Sequence, residues 1–136
     1  MRIFVNTTCS KPSKKRIEHD MTIERLELYD VLHGASIAGD TVYLAGLIGE
    51  DLSQDIRGQT RSVLEQAKQL LADAGSSIER IAFAQIFITA MADKPAMNDV
   101  WRDFFPAQHR PSRATIGVND LGRNVRIEVV FTAKKI

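Results

Sequence analysis

The sequence closes on 111-PSRATIGV-118 and, after 119-NDLGRN-124, on 125-VRIEVVFTA-133. Both segments alternate along the chain with a period of two, which predicts a pair of β-strands over 113–118 and 125–133. Their predicted core-facing residues are Ala114, Ile116, Val118, Val125, Ile127, Val129, Phe131 and Ala133. Arg113 and Glu128 alternate with these residues, so both are predicted to project from the opposite face of the sheet.

The rest of the chain supplies the elements that pack against these strands. Helical spacing of apolar residues predicts a helix over 54–74, with Asp51 or Ser53 at its start and Gly75 at its end. Asp93 and Pro95 open a second helix. Its apolar stripe is Met97, Val100, Trp101, Phe104 and Phe105. Further strands are predicted over 23–29, 33–38, 41–49 and 80–90.

The predicted order is βββαβαββ, an α+β domain over residues 22–136 with one sheet covered on one face by two helices. The strand 41-TVYLAGLIG-49 is apolar on both faces. Val42, Leu44 and Ile48 are predicted on one face, and Tyr43, Ala45 and Leu47 on the other. An apolar second face predicts that the sheet packs against other copies of the chain. These strands alone leave a dimer open as well as a larger assembly.

Composition excludes several classes of protein. The chain has 136 residues, 44% of them hydrophobic, and a formal net charge of +1. That charge gives no global attraction for nucleic acid, and no apolar run reaches the roughly 20 residues of a membrane span. Residues 1–21 form a basic extension, expected to be a solvated tail or a contact for a polyanion. The single cysteine, Cys9, fits a reducing compartment and predicts a cytoplasmic protein.

Arg113 and Glu128 are the candidate catalytic pair. A guanidinium offers two parallel hydrogen bonds to a carboxylate, and a nearby glutamate can hold and deprotonate a water molecule. An ion pair between the two residues at an interface is the structural alternative. Thr115 shares the predicted face of Arg113, and a glycine inside a strand, here Gly46, often marks a close backbone approach.

Other kinds of site lack support in the sequence. The histidines lack metal-ligand spacing, which predicts that there is no metal site. Cys9 has no histidine nearby in the sequence and is interpreted as an incidental thiol. The chain also lacks a glycine-rich phosphate loop. The histidines are His19, His33 and His109.

From about residue 33 to 134 the sequence resembles the Rid (YjgF/UK114-like) family. The resemblance rests on the order and spacing of several segments rather than on one motif. These segments are 41-TVYLAGLIG-49, 54-QDIRGQTRSVLEQ-66, 73-DAGSSIERI-81, 92-ADKPAMNDVWRDFF-105, 111-PSRATIGV-118 and 125-VRIEVVFTA-133.

The resemblance implies a chorismate-mutase-like fold and a homotrimer with the second face of the sheet turned inward and clefts between subunits. It implies cofactor-free hydrolysis of reactive 2-imino or enamine acids to 2-keto acids and ammonia. In that scheme Arg113 binds the substrate carboxylate, Glu128 positions the attacking water, and the backbone of Gly46 lines the pocket.

Three positions depart from the family pattern. Leu32 aligns with a tyrosine that closes the pocket in the archetypal deaminases, and Tyr29 is close to that position but out of register. Leu47 follows the pocket glycine, where a polar residue is common. Ala114 and Thr115 stand near the place of a cysteine or serine. These departures predict a more apolar pocket than the archetype has.

Three functions compete at this point. The first is an imine deaminase that uses Arg113 and Glu128. The second is a non-catalytic module that binds a small carboxylate-bearing metabolite such as a keto acid, which Leu32 favours. The third is an endoribonuclease, which is opposed by the small net charge and supported only by the basic residues 1–20.

Overall fold

The computed structural model describes residues 22–136, so the basic extension, Cys9 and His19 lie outside the described residues. Seven strands form one mixed sheet in the order β1-β2-β3-β7-β5-β6, and the short β4 also pairs with β7. All pairings are antiparallel except that of β5 with β6. The strands are β1 Ile23–Leu28, β2 His33–Ala38, β3 Thr41–Leu44, β4 Leu47–Ile48, β5 Ile81–Ile88, β6 Ser112–Gly117 and β7 Ile127–Lys134.

Within residues 22–136, two α-helices pack together and against the sheet. Helix α1 spans Ile56–Asp73 and α2 spans Lys94–Phe104, and three single-turn 3-10 helices occupy Ile78–Arg80, Met91–Asp93 and Ala107–His109. The observed elements confirm the predicted α+β fold and its order, with the third predicted strand divided in two. No helix within residues 22–136 is long and apolar enough to cross a membrane.

The ends of α1 follow from local hydrogen bonding. Asp55, rather than Asp51 or Ser53, is the N-cap, because its side chain accepts a hydrogen bond from the Gly58 backbone N–H at 3.0 Å. The Asp51 carboxylate instead closes the preceding turn by accepting hydrogen bonds from Ser53. Gly75 follows the last helical turn with a φ of +81°, which confirms the predicted glycine stop.

The core lies between the helices and one face of the sheet. Both helices contribute their apolar stripes, and β5 and β7 contribute alternate residues that are completely buried. The largest of these buried side chains are Phe105, Phe131, Leu64, Leu71, Ile86, Ile88, Met97 and Ile127. No element among residues 22–136 covers the other face of the sheet, and its apolar residues remain exposed: Tyr43, Phe83 and Ile116.

A β-bulge divides the predicted strand 41–49 and changes which side chains face the core. Tyr43 pairs with Thr132 and Leu47 pairs with Val129. The three residues between Tyr43 and Leu47 therefore lie opposite only two residues of β7. The extra residue, at Ala45 and Gly46, shifts the alternation by one. Leu47 is therefore buried in the core, and the prediction that it shares a face with Tyr43 was wrong.

Candidate active site

Arg113 lies on β6, at the edge of the sheet, and faces the helix layer. It pairs in register with Ala84 of β5, which is fully buried beneath the helices. Its Nη2 donates a hydrogen bond to Oδ1 of Asn98, and its guanidinium carbon lies 5.1 Å from the centroid of the Trp101 ring. Both contacts are to α2. The prediction that Arg113 projects from the helix-free face was therefore wrong.

The reason for this error lies in the pairing of β6. Parallel pairing with β5 places Arg113 and Thr115 beside Ala84 and Ile86, on the core side of the sheet. Ile116 is consequently on the open face, where 36% of its surface is exposed. Because β6 is an edge strand, its core-side residues reach the rim of the helix layer, where a half-buried guanidinium keeps access to solvent.

The guanidinium of Arg113 has no acidic partner within residues 22–136. Every ion pair in that part of the chain involves other residues. Partial burial lowers the pKa of Arg113, and the nearby positive charge of Arg102 acts in the same direction. A half-buried cation without a counter-charge is a site that an anion would stabilise.

Glu128 lies on β7 and faces the open side of the sheet. It pairs with Phe87 of β5 and with Ile48 of β4. No hydrogen bond or ion pair joins its carboxylate to another group among residues 22–136. The carboxylate packs directly on Gly46, where an added Cβ would lie 3.0 Å from Glu128 Cδ and closer still to a carboxylate oxygen. The bulge thus creates the space that the carboxylate occupies.

Gly46, Leu32 and Leu47 line a groove of about 910 Å³ between α1 and the tip of the β1–β2 hairpin. A turn joins Tyr29 to Leu32 at this tip, where the backbone N–H of Tyr29 donates to the carbonyl of Leu32 at 2.8 Å. Tyr29 also lines the groove, although it is out of register in sequence. The groove carries five acidic residues, Glu27, Asp30, Glu50, Glu65 and Asp73.

Arg113 and Glu128 do not meet within one chain. They lie on opposite faces of the sheet, because Arg113 is beside buried Ala84 while Glu128 is beside Phe87 of the open face. They are two strands apart and about three residues apart along the strands, which places their backbones about 14 Å from each other. An ion pair between them in the same chain is excluded, and one small substrate cannot touch both.

Two residues near Arg113 were missing from the predicted site. Asn98 and Trp101 are spaced by three on α2, so they share one helix face. Trp101 was interpreted as a core residue, and it is 4% exposed, but the ring also supports Arg113. The i, i+3 spacing of an amide and an aromatic residue was visible in the sequence. The sequence did not show that Arg113 contacts this pair, because Arg113 belongs to a strand that is separate in the sequence.

Residues 22–136 thus form a small α+β domain with a half-buried guanidinium that has no acidic partner among them, and known proteins share this chain's sequence pattern. Residues 28–135 match the family model described as Endoribonuclease L-PSP. The chain is 34% identical over 105 residues to the 3-aminoacrylate deaminase RutC of Acinetobacter baylyi, covering 73% of this chain and 82% of that protein. It is 34% identical over 97 residues to the 2-iminobutanoate/2-iminopropanoate deaminase of Dermatophagoides farinae, covering 67% and 75% respectively.

Solved structures agree with these relatives. The crystal structure of a YjgF family member from Neisseria meningitidis matches with a TM-score of 0.82 and 29% identity, covering 87% of this chain and 98% of that one. An uncharacterised protein from Pseudomonas aeruginosa matches with a TM-score of 0.81 and 30% identity, over 85% and 100%. The chain therefore belongs to the Rid (YjgF/UK114-like) family and has its chorismate-mutase-like fold.

Proposed function

We propose that this chain is a deaminase that hydrolyses 2-imino or enamine acids to 2-keto acids and ammonia, without a cofactor, in clefts between copies of the chain. The observation that carries the proposal is the half-buried Arg113 guanidinium without an acidic partner among residues 22–136. Two relatives at 34% identity are named as deaminases of such substrates, which supports the same chemistry here.

Arg113 binds the carboxylate of the substrate in this scheme. The Asn98 hydrogen bond uses one N–H group of Nη2, and the remaining donors of the fork stay available for the two carboxylate oxygens. Thr115, two residues along the same strand face, borders this position. The carboxylate supplies the negative charge that Arg113 lacks and fixes the orientation of the adjacent imine carbon.

Glu128 of a second copy supplies the base. Its carboxylate accepts a proton from a water molecule as the water oxygen attacks the imine carbon. The electron pair of the C=N π bond moves to nitrogen, and Glu128 passes the proton to that nitrogen, which gives a neutral tetrahedral carbinolamine. Glu128 then accepts the hydroxyl proton as the C=O bond forms and the C–N bond breaks, and it passes this proton to the leaving nitrogen. Ammonia departs, one water is consumed and the enzyme is unchanged.

The assembly follows from the separation of the two residues. Because one chain presents Arg113 and Glu128 on opposite faces about 14 Å apart, a small substrate reaches both only between two copies. The exposed apolar residues of the open face provide the surface that such copies bury. A homotrimer with these faces turned inward completes three equivalent clefts. Each cleft takes Arg113 from one chain, and Glu128, Gly46 and the Leu32 hairpin from the next.

A coupled assay tests the proposal. An amino-acid oxidase generates short-lived 2-imino acids, and semicarbazide traps the imine that survives. The wild type should reduce the trapped imine, whereas Arg113→Ala and Glu128→Gln should each lose at least 100-fold in rate. Arg123→Ala and Glu24→Gln, exposed changes of the same residue types, serve as controls that should retain the rate.

Binding separates the deaminase from a non-catalytic module. Glu128→Gln should still bind a 2-keto acid, because the carboxylate contact with Arg113 remains, while Arg113→Ala should not. A wild type that binds keto acids but leaves every imine unchanged would be a binding protein, and the deaminase proposal would be wrong. Retention of full imine hydrolysis by Arg113→Ala would also refute it.

The family description names an endoribonuclease, and charge opposes that activity in the domain itself. Residues 22–136 carry 13 lysine and arginine residues against 15 aspartate and glutamate residues. A net negative domain repels the phosphate backbone. Residues 1–20 carry five basic residues against two acidic ones, so comparing RNA cleavage before and after deletion of that segment tests this alternative directly.

A further inference from the structure

Two side chains next to Arg113 restrict how its guanidinium is oriented at the proposed site. Its guanidinium contacts two neutral side chains of α2: the amide oxygen of Asn98 and the face of Trp101. Both contacts restrict the orientation of the guanidinium, yet neither neutralises its charge. A carboxylate in either place would occupy the fork and compete with an incoming anion.

The Trp101 ring is itself immobilised by the core. It is 4% exposed and contacts Phe105 at a centroid distance of 5.0 Å. On the sheet side it stacks on Phe131 of β7, with centroids 6.3 Å apart and 14° between the ring planes. The guanidinium therefore rests on a rigid aromatic surface, and its orientation is set by the core.

Asp99, the acidic residue next to Asn98 on α2, is engaged by other arginines. Asp99 receives Arg57 on one carboxylate oxygen at 2.8 Å and Arg102 on the other at 2.6 Å. Two arginines thus share this carboxylate, whereas Arg113 contacts the amide of the neighbouring Asn98 and the ring of Trp101. The Asp99 carboxylate is therefore bound by Arg57 and Arg102 and makes no ion pair with Arg113.

We propose that Asn98 and Trp101 are positioning residues that hold the Arg113 guanidinium, still fully charged, in the orientation that a substrate carboxylate needs. This inference rests on the proposed function, because it concerns the same anion site. It adds that Trp101, the only tryptophan of the chain, reports the occupancy of that site by its fluorescence. A carboxylate bound to Arg113 withdraws the cation's charge from the ring face and changes the emission.

The decisive substitution is Asn98→Asp. It keeps the size of the side chain and improves its contact with Arg113, so the fold should be as stable as the wild type. The new carboxylate also takes the place of the substrate, and the KM for the imino acid should rise by about 100-fold or more. If Asn98 had only a structural role, the Asn98→Asp variant would be at least as stable as the wild type and its KM would be unchanged.

A graded series tests Trp101. Trp101→Phe keeps an aromatic face and should raise KM by about threefold, and Trp101→Leu should raise it by about tenfold, with a smaller change in kcat. Phe104→Leu is the matched control, because the Phe104 ring packs edge-on against Phe105 and not against Trp101 or Arg113, so it should lower stability and leave KM within about twofold. If Phe104→Leu raises KM as much as Trp101→Leu, the Trp101 effect is general core damage.

Direct binding separates this inference from the proposed function. Pyruvate, a stable 2-keto acid, is titrated into the full chain while tryptophan fluorescence is followed. The wild type should respond saturably, and Arg113→Ala and Asn98→Asp should not. A wild type that neither binds pyruvate nor hydrolyses imines overturns the proposed function. A hydrolysing wild type together with an Asn98→Asp variant that binds pyruvate normally overturns only the positioning inference.

Discussion

Replacing Gly46 with alanine tests the geometry of the Glu128 carboxylate. The added Cβ would lie 3.0 Å from Glu128 Cδ and 3.2 Å from Cγ, with a carboxylate oxygen closer still. Ordinary contact begins at 3.4 Å, so the carboxylate has to move by about 1 Å or more. The backbone of Gly46 is not in the left-handed region, so alanine itself fits the backbone at this position.

The substitution should separate stability from activity. The atoms that clash belong to the end of a flexible side chain, and rotating it away costs about 1 kcal/mol. The melting temperature should therefore fall by only about 4 °C. A displacement of about 1 Å in a catalytic group costs on the order of 100-fold in rate, so kcat/KM should fall by about that factor.

The assay compares trapped imine and thermal unfolding for the wild type, Gly46→Ala and Gly49→Ala. Gly49 is a matched control because an added Cβ there meets Gln59 at 3.2 Å, a tight contact that does not involve Glu128. Gly49→Ala should lose stability but keep most of its activity. Activity within a few-fold of wild type in Gly46→Ala would refute the assigned role of the Glu128 position, as would an equal loss in both variants.

Three further predictions concern the scaffold. Gln59 is fully buried, donates hydrogen bonds to the carbonyls of Gln54 and Asn124 at 3.0 Å and accepts one from the Arg126 backbone N–H. Because Gln59→Leu leaves these buried groups without partners, it should lower the free energy of unfolding by about 3 kcal/mol in urea denaturation. A loss below about 1 kcal/mol would contradict this prediction. Asp55→Ala removes the N-cap of α1 and should cost about 1 kcal/mol by the same method, whereas Ser53→Ala should cost much less. Hydrogen bonds from Arg57 and Arg102 lower the pKa of Asp99 below its usual 3.8, so its stabilising effect is present above about pH 4 and is lost as the pH falls through the lowered value. The stability difference between wild type and Asp99→Asn should therefore shrink in acid and in high salt, and a difference that grows below pH 4 would exclude this ion pair as its source.

Much of the fold could be predicted from local patterns. The helical spacing that ends at Gly75, the stripe containing Trp101, and the alternation of the last strand each reflect a face that must leave water. Such patterns are encoded in neighbouring residues, so the type and order of the elements are determined by the sequence. The choice of Arg113 and Glu128 as candidate residues also came from the sequence and its family resemblance.

The faces of the sheet could not be predicted in the same way. A two-residue period indicates that alternate residues face opposite sides of the sheet, but the strand's pairing partner decides which side is the core. For β6 that partner is β5 in parallel register, which places Arg113 against α2. For the segment 41–49, a single extra residue at the bulge moves Leu47 into the core and opens the space beside Gly46.

The sequence by itself determined the elements, their order and the chemistry available to the protein. Only the tertiary structure decided that Arg113 and Glu128 lie on opposite faces, that Asn98 and Trp101 hold the guanidinium, and that Asp99 is engaged by other arginines. Apart from the Asp99–Arg102 pair within α2, these contacts join residues from different elements, and strand register and helix packing bring them together. The proposed cleft between copies follows from that separation, since two residues on opposite faces of one sheet can serve one substrate only when a second chain supplies one of them.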